Sequence, residues 1–164
     1  MKKIGIIPSI YYAKSTFNIR LDINLINFFS KIIKKANFKI LSQKCNDKFD
    51  IIILSGGNTI SKISKKKDDI IRSKLDNYYL NYSLKNNIPI IGICHGAQLL
   101  ISAKIVKNRK ISGYYSVKDD IENAGGIYID EPAVVDSNII TTAHYKHLGP
   151  WMKKSIEITK ANKK

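Results

Sequence analysis

The sequence predicts an α/β domain built on an open, mainly parallel sheet with helices on both faces. Three observations carry that expectation. Short apolar runs alternate with stretches of helical spacing from the N-terminus onward. The run Phe49-Asp50-Ile51-Ile52-Ile53-Leu54 is continuous, as in a parallel strand covered on both faces. Finally, Gly92-Ile93-Cys94-His95-Gly96 follows the apolar Ile88-Pro89-Ile90-Ile91 and precedes Ala97-Gln98-Leu99-Leu100, so a strand turns sharply into a helix.

The elements follow in order. Lys3-Ile4-Gly5-Ile6-Ile7-Pro8 reads as the first strand and 9–15 as the loop after it. Leu21, Ile23, Leu25, Ile26, Phe28, Phe29, Ile32 and Ile33 recur at mostly helical spacing until Ala36-Asn37 ends the helix. Phe38-Lys39-Ile40-Leu41 resumes as a strand, and the buried run over 49–54 stops at Ser55-Gly56-Gly57-Asn58. Ile70, Ile71, Leu75, Tyr78, Tyr79, Tyr82 and Leu84 mark a long amphipathic helix over 68–85. After the elbow strand and its helix, Ile111-Ser112-Gly113 opens a less regular region, and 117–124 is a short helix ended by Gly125-Gly126. Ile127-Tyr128-Ile129, Ala133-Val134-Val135 and Ile139-Ile140-Thr141-Thr142 are short strands between polar turns. A helix from about 150 to 158 closes the chain.

At 164 residues, one domain over 1–164 is expected, large enough for a core without disulfide or metal staples. No apolar run approaches the roughly 20 residues of a membrane span, and no charged-then-apolar leader opens the sequence, so the expected location is cytoplasmic. The two cysteines, Cys45 and Cys94, lie in dissimilar surroundings, which argues against a structural disulfide. The net charge of +15 invites a nucleic-acid reading, but the lysines are dispersed. Only Lys65-Lys66-Lys67 and Lys163-Lys164 form runs, arginine is confined to Arg20, Arg72 and Arg109, and no aromatic-lysine module occurs. Nucleic acid is therefore not the expected partner.

Glycines on either side of Cys94 permit a tight turn that lifts the thiol above the sheet edge. The start of the following helix favours thiolate over thiol. A thiolate attacking a carbonyl needs a base, an orienting carboxylate and N–H donors for the oxyanion. The donor candidates are the backbone N–H groups of His95 and Gly57, and the bases are drawn from His95, His144 and His147. His147 reads as a surface or helix-start residue. It could join His144 on a metal only with a third ligand that the spacing does not supply, so no metal or cofactor is expected. Asp119-Asp120 reads as helix capping, Cys45 as a residue without function, and Tyr114-Tyr115 and Tyr78-Tyr79 as packing or pocket residues.

Several spaced motifs carry a resemblance. Cys94-His95-Gly96, Gln98-Leu99-Leu100-Ile101-Ser102-Ala103, Asn108-Arg109-Lys110, Lys118-Asp119-Asp120, Asn123-Ala124-Gly125, Val134-Val135-Asp136-Ser137-Asn138 and Trp151-Met152 resemble the PfpI branch of the DJ-1/PfpI family. That resemblance implies a flavodoxin-like fold. It also implies a cysteine-dependent hydrolase or lyase of peptidase, deglycase or glyoxalase type, with stress-related roles, acting on a small-molecule or peptide substrate. Carried over, Cys94 works with His95, and an acid from a neighbouring subunit orients the histidine. Ungapped counting from Cys94 puts that acid at Asp68, which implies a homo-oligomer. The family's glutamate on the loop after the first strand has no counterpart in 9–15, and Asp22 is the candidate substitute.

The first half looks equally like class I glutamine amidotransferases of the γ-glutamyl hydrolase type, through Ile53-Leu54-Ser55-Gly56-Gly57-Asn58 and the segment 87–94. In that reading Cys94 works with His144 as a glutaminase or γ-glutamyl hydrolase. The acid usually two residues after such a histidine is here Lys146, which would disfavour an imidazolium, so His95 is preferred. A third reading has Cys94 reversibly oxidised in a redox-sensing or chaperone protein, with nothing turned over.

Overall fold

The computed structural model describes residues 1–13, 16–21, 23–56, 65–94, 96–143, 149, 153–154 and 157–158. Its centre is a six-stranded sheet formed by β1 (Lys2–Ile7), β4 (Ala36–Ile40), β5 (Ile51–Leu54), β6 (Ile90–Ile93), β9 (Val134–Asp136) and β10 (Ile139–Thr142). Across the sheet the order is β4-β1-β5-β6-β10-β9, all parallel except the β9 edge, which runs antiparallel to β10. A mainly parallel sheet with helices on both faces is what the alternating pattern implied.

Alternation along the strands places the two cores. Ile4 and Ile6, Ile51 and Ile53, and Ile91 and Ile93 pack with Leu25, Phe29 and Ile33, on and just after α1 (Ile23–Ile32). Ile52 and Leu54, with Ile90, pack on the other side with Leu75, Tyr79 and Leu80 of α2 (Lys67–Lys85) and Ala97, Leu99 and Leu100 of α3 (Gly96–Ser102). All four residues of β5 and all four of β6 are buried, because a parallel strand sandwiched between helix layers exposes neither face.

Three features depart from the expectations. The segment after β1 is not a plain loop: β2 (Ser9–Ala13) and β3 (Thr16–Arg20) form an antiparallel hairpin, with Ile10 buried at 4% exposure. The Ile and Tyr content of the segment favours strand over loop. The predicted stripe of α2 does meet the core, through Leu75 and Tyr79 with Ile71, Tyr78, Tyr82 and Leu84 half-buried against it, but the buried face also takes in Leu80 and the polar Asp69, Arg72, Ser73, Asp76 and Ser83. Third, the irregular region contains β7 (Lys110–Ile111), which pairs in parallel with β8 (Ile127–Tyr128). Between them α4 (Lys118–Asn123) follows a 3-10 turn at Tyr115–Val117, as the short helix before Gly125 required. Most of the predicted closing helix over 150–158 lies outside the described residues.

Candidate active site around Cys94

Cys94 follows directly on β6, the fourth of the six strands across the sheet, at its carboxyl end. Its φ is 55°, in the left-handed region that costs an L-residue with a side chain energy. The surroundings hold it there. The Cys94 N–H donates to the Thr142 carbonyl at 2.9 Å, extending the β6–β10 pairing one residue past the strand. Its own carbonyl accepts from the Ala97 N–H at 3.4 Å, entering α3. A Cβ on Gly92 would sit 3.4 Å from the Gly96 Cα and carbonyl carbon, so strand end and helix start meet with no side chain between them.

The half-buried Cys94 side chain lines a narrow cavity of about 20 Å³ with Tyr114, Ser116 and Val117, space for about one water molecule. Tyr114 and Tyr115 stack at a tilt, with ring centroids 4.4 Å apart. The Tyr114 phenol is pushed above its ordinary value, first by its hydrogen bond with Tyr115 and to a lesser degree by the neighbouring charge of Cys94. The segment leading into this wall is tied to β10, where the Ser112 N–H donates to Thr141 Oγ1 at 2.8 Å; next to it Thr142 Oγ1 donates to the Pro132 carbonyl at 2.7 Å and holds the segment before β9. Sequence reasoning flagged Tyr114 only as a packing or pocket residue and missed Ser116. The signal for both was their position just after Gly113, on the first segment to return from the elbow helix.

Of the other candidates, Asp68 sits half-buried in the first turn of α2, its Oδ1 accepting the Asp69 N–H at 3.1 Å. Gly57, His95, His144, His147 and Asp22 lie outside the described residues. Cys45 is half-buried, with its Sγ 3.4 Å from the Tyr79 hydroxyl. Among the described residues no three His, Cys, Asp or Glu side chains cluster as metal ligands would, and no helix is long and apolar enough to cross a membrane.

Chemically, the arrangement offers one thiol at a sheet edge, on a strained backbone, opening on a small polar and aromatic cavity. Comparison with known proteins places it in context. The DJ-1/PfpI family model matches residues 30–158. The deglycase PfpI of Pyrococcus furiosus is 34% identical over 116 residues, 70% of this chain and 64% of that protein. A deglycase of Thermococcus kodakarensis is 32% identical over 114 residues, 68% of this chain and 63% of that one. The chain thus spans just under two thirds of the length of these two relatives. A solved ThiJ/PfpI domain protein from Brachyspira murdochii shares the fold with a TM-score of 0.69, at 14% identity, over 97% of this chain and 96% of its own.

Proposed function

This chain belongs to the DJ-1/PfpI family, and on that premise we propose that it is a cysteine-dependent hydrolase or lyase of the deglycase type, with Cys94 as nucleophile. The observation that carries the reading is the left-handed backbone of Cys94 at the end of a central parallel strand, beside a cavity walled by Tyr114 and Ser116. Strain of this kind persists where surrounding structure over-determines it, and it collects at reactive sites.

In the proposed reaction His95 takes the Cys94 proton and the thiolate attacks a carbonyl or amide carbon. The C–S bond forms as the carbonyl π pair moves onto oxygen, where the N–H groups of His95 and Gly57 stabilise the charge. With an amide, collapse of this intermediate expels the amine, which takes the proton held by His95. With a 2-oxoaldehyde there is no leaving group, and the C1 hydrogen of the hemithioacetal moves instead to C2 as a proton through an enediolate, giving a thioester of the 2-hydroxy acid. Water then adds to the thioester, and its collapse releases the acid and restores the thiol. Asp68 of a second copy orients His95, so the active form is a homo-oligomer. The substrate is a small carbonyl compound or a peptide, and the protein works in the cytoplasm.

One observation supports a second assignment of the base. Thr142, bonded to the Cys94 N–H, stands two residues before His144 in the chain, so the segment leaving β10 starts beside the elbow. In that reading His144 activates Cys94 for γ-glutamyl or glutamine hydrolysis. Steady turnover of methylglyoxal or of a peptide, lost in Cys94→Ala, is the expected result, and full turnover in that variant would sink the proposal. Ammonia release from glutamine that depends on His144 and not on His95 would move the assignment to the second reading.

A further inference from the structure

The cavity beside Cys94 is too small to enclose a substrate. At about 20 Å³ it takes one water-sized group, whereas sites that enclose a small molecule run to about 300–1,000 Å³. It has room for the oxygen of a carbonyl group, and the rest of the molecule must lie outside it, against whatever forms the rim. Substrate selection is therefore a property of the rim.

Two aromatic rings stand there. Tyr114 lines the cavity with Cys94 and is 39% exposed, and Tyr115, with its ring centroid 4.4 Å from that of Tyr114, is 73% exposed. Exposed apolar side chains scattered singly are ordinary on a protein surface. Here the two rings are stacked and hydrogen-bonded to each other, one walling the cavity and the next open to water.

The backbone that carries them is fixed. Val117 is buried, and its N–H donates to the Tyr114 carbonyl at 2.9 Å, closing the 3-10 turn at Tyr115–Val117. The Tyr128 hydroxyl donates to the Gly113 carbonyl at 3.3 Å. A Cβ on Gly113 would stand 2.8 Å from Val117 Cγ2 and 3.1 Å from the Ala97 Cβ, so this segment lies hard against α3, the helix that leaves the elbow. With turn and helix packed together, the base of the ring pair is set relative to the sulfur before a substrate arrives, and little ordering remains to oppose binding.

We propose that Tyr115, backed by Tyr114, determines specificity at the Cys94 site by stacking on a planar aryl group carried next to the carbonyl that is attacked. The proposal rests on the reading of Cys94 as nucleophile and names a substrate class for that site: aryl-substituted 2-oxoaldehydes, preferred through the ring pair over short alkyl ones. Stacking and the water it releases are worth about tenfold in such a comparison. Because the aryl group does not react, Tyr115 holds it alike in the ground state and the transition state, and the contribution falls in KM rather than in kcat.

The test compares phenylglyoxal with methylglyoxal, whose two reacting carbons are the same, as initial rates from which the rate of Cys94→Ala is subtracted. In Tyr115→Ala the ratio of kcat/KM for phenylglyoxal to that for methylglyoxal should fall about tenfold, through a higher KM for phenylglyoxal. Tyr115→Phe, which keeps the ring and loses the hydroxyl, should hold the wild-type ratio. A ratio within about twofold of wild type in Tyr115→Ala, a fall carried by kcat, or the same fall in Tyr115→Phe overturns the proposal alone. Wild-type turnover of both compounds no faster than in Cys94→Ala overturns the nucleophile reading and the proposal with it.

Discussion

Two neighbouring stretches of the same sheet edge are built on opposite principles. At the ends of β1 and β5, the Pro8 and Ser55 carbonyls and the Arg72 and Asp76 side chains are bonded and buried. At the end of β6, Cys94 is held at φ 55° and its side chain opens on a cavity. The first region is relaxed and closed, the second strained and open. A rigid clamp beside a strained, open cysteine places fixed dipoles next to backbone strain, the side of the edge where reactivity is proposed.

The contrast breaks most visibly at Arg72. Truncating one partner of a buried pair leaves the other charge uncompensated, so Arg72→Ala should cost about 3–5 kcal/mol in urea unfolding. Replacing both members with apolar residues of similar size should restore most of that loss, because well-packed side chains replace buried ion pairs at little cost. Wild-type stability in Arg72→Ala would mean that the clamp is incidental.

That clamp is also the part of the molecule least legible in the sequence. The strand cores were readable because Ile51–Leu54 and Ile90–Ile93 are buried on both faces and leave unbroken apolar runs. The elbow was readable because Gly-x-Cys-x-Gly stands between an apolar run and a helical one, the pattern of a sharp strand-to-helix turn. Arg72 and Asp76, four apart on a helix, look like an ordinary solvated pair, and nothing local marks them as buried. The Ser9–Gly56 bond joins residues 47 apart, a relation set by strand order alone. The hairpin of β2 and β3 stands partly where the sequence leads one to expect a loop over 9–15, and only the β propensity of its residues marks it as strand.

A smaller effect sharpens the other side of the comparison. If the strain sits in the Cys94 backbone and not in its thiol, glycine should suit that position better than alanine, since both lack sulfur and differ in Cβ. Cys94→Gly should be more stable than Cys94→Ala by about 1 kcal/mol in thermal or urea unfolding. Ser137, at φ 57° in the turn between β9 and β10, provides the control. The same preference there would show that the penalty follows φ, and its absence at Cys94 would remove the argument from strain.

The smallest effect separates a buried ion pair from an exposed one. Asp47 accepts a hydrogen bond from Lys39 and pairs with Lys3 at 3.0 Å, and chiefly the Lys39 bond holds its carboxyl down at about 2. Asp76 moves the other way, because burial pushes it up in spite of Arg72. A carboxyl depressed in the folded state stabilises the fold above its unfolded value of 3.8, and that contribution is lost as pH falls toward the folded value. At low ionic strength Asp47→Asn should therefore lower the urea midpoint above about pH 5, with the gap to wild type narrowing below about pH 4. Added salt should narrow it as well, because surface pairs are screened. The deficit of Arg72→Ala should resist salt, since its charges lie where ions do not reach. A salt-sensitive Arg72 deficit would place the clamp in water and undo its contrast with the open edge at Cys94.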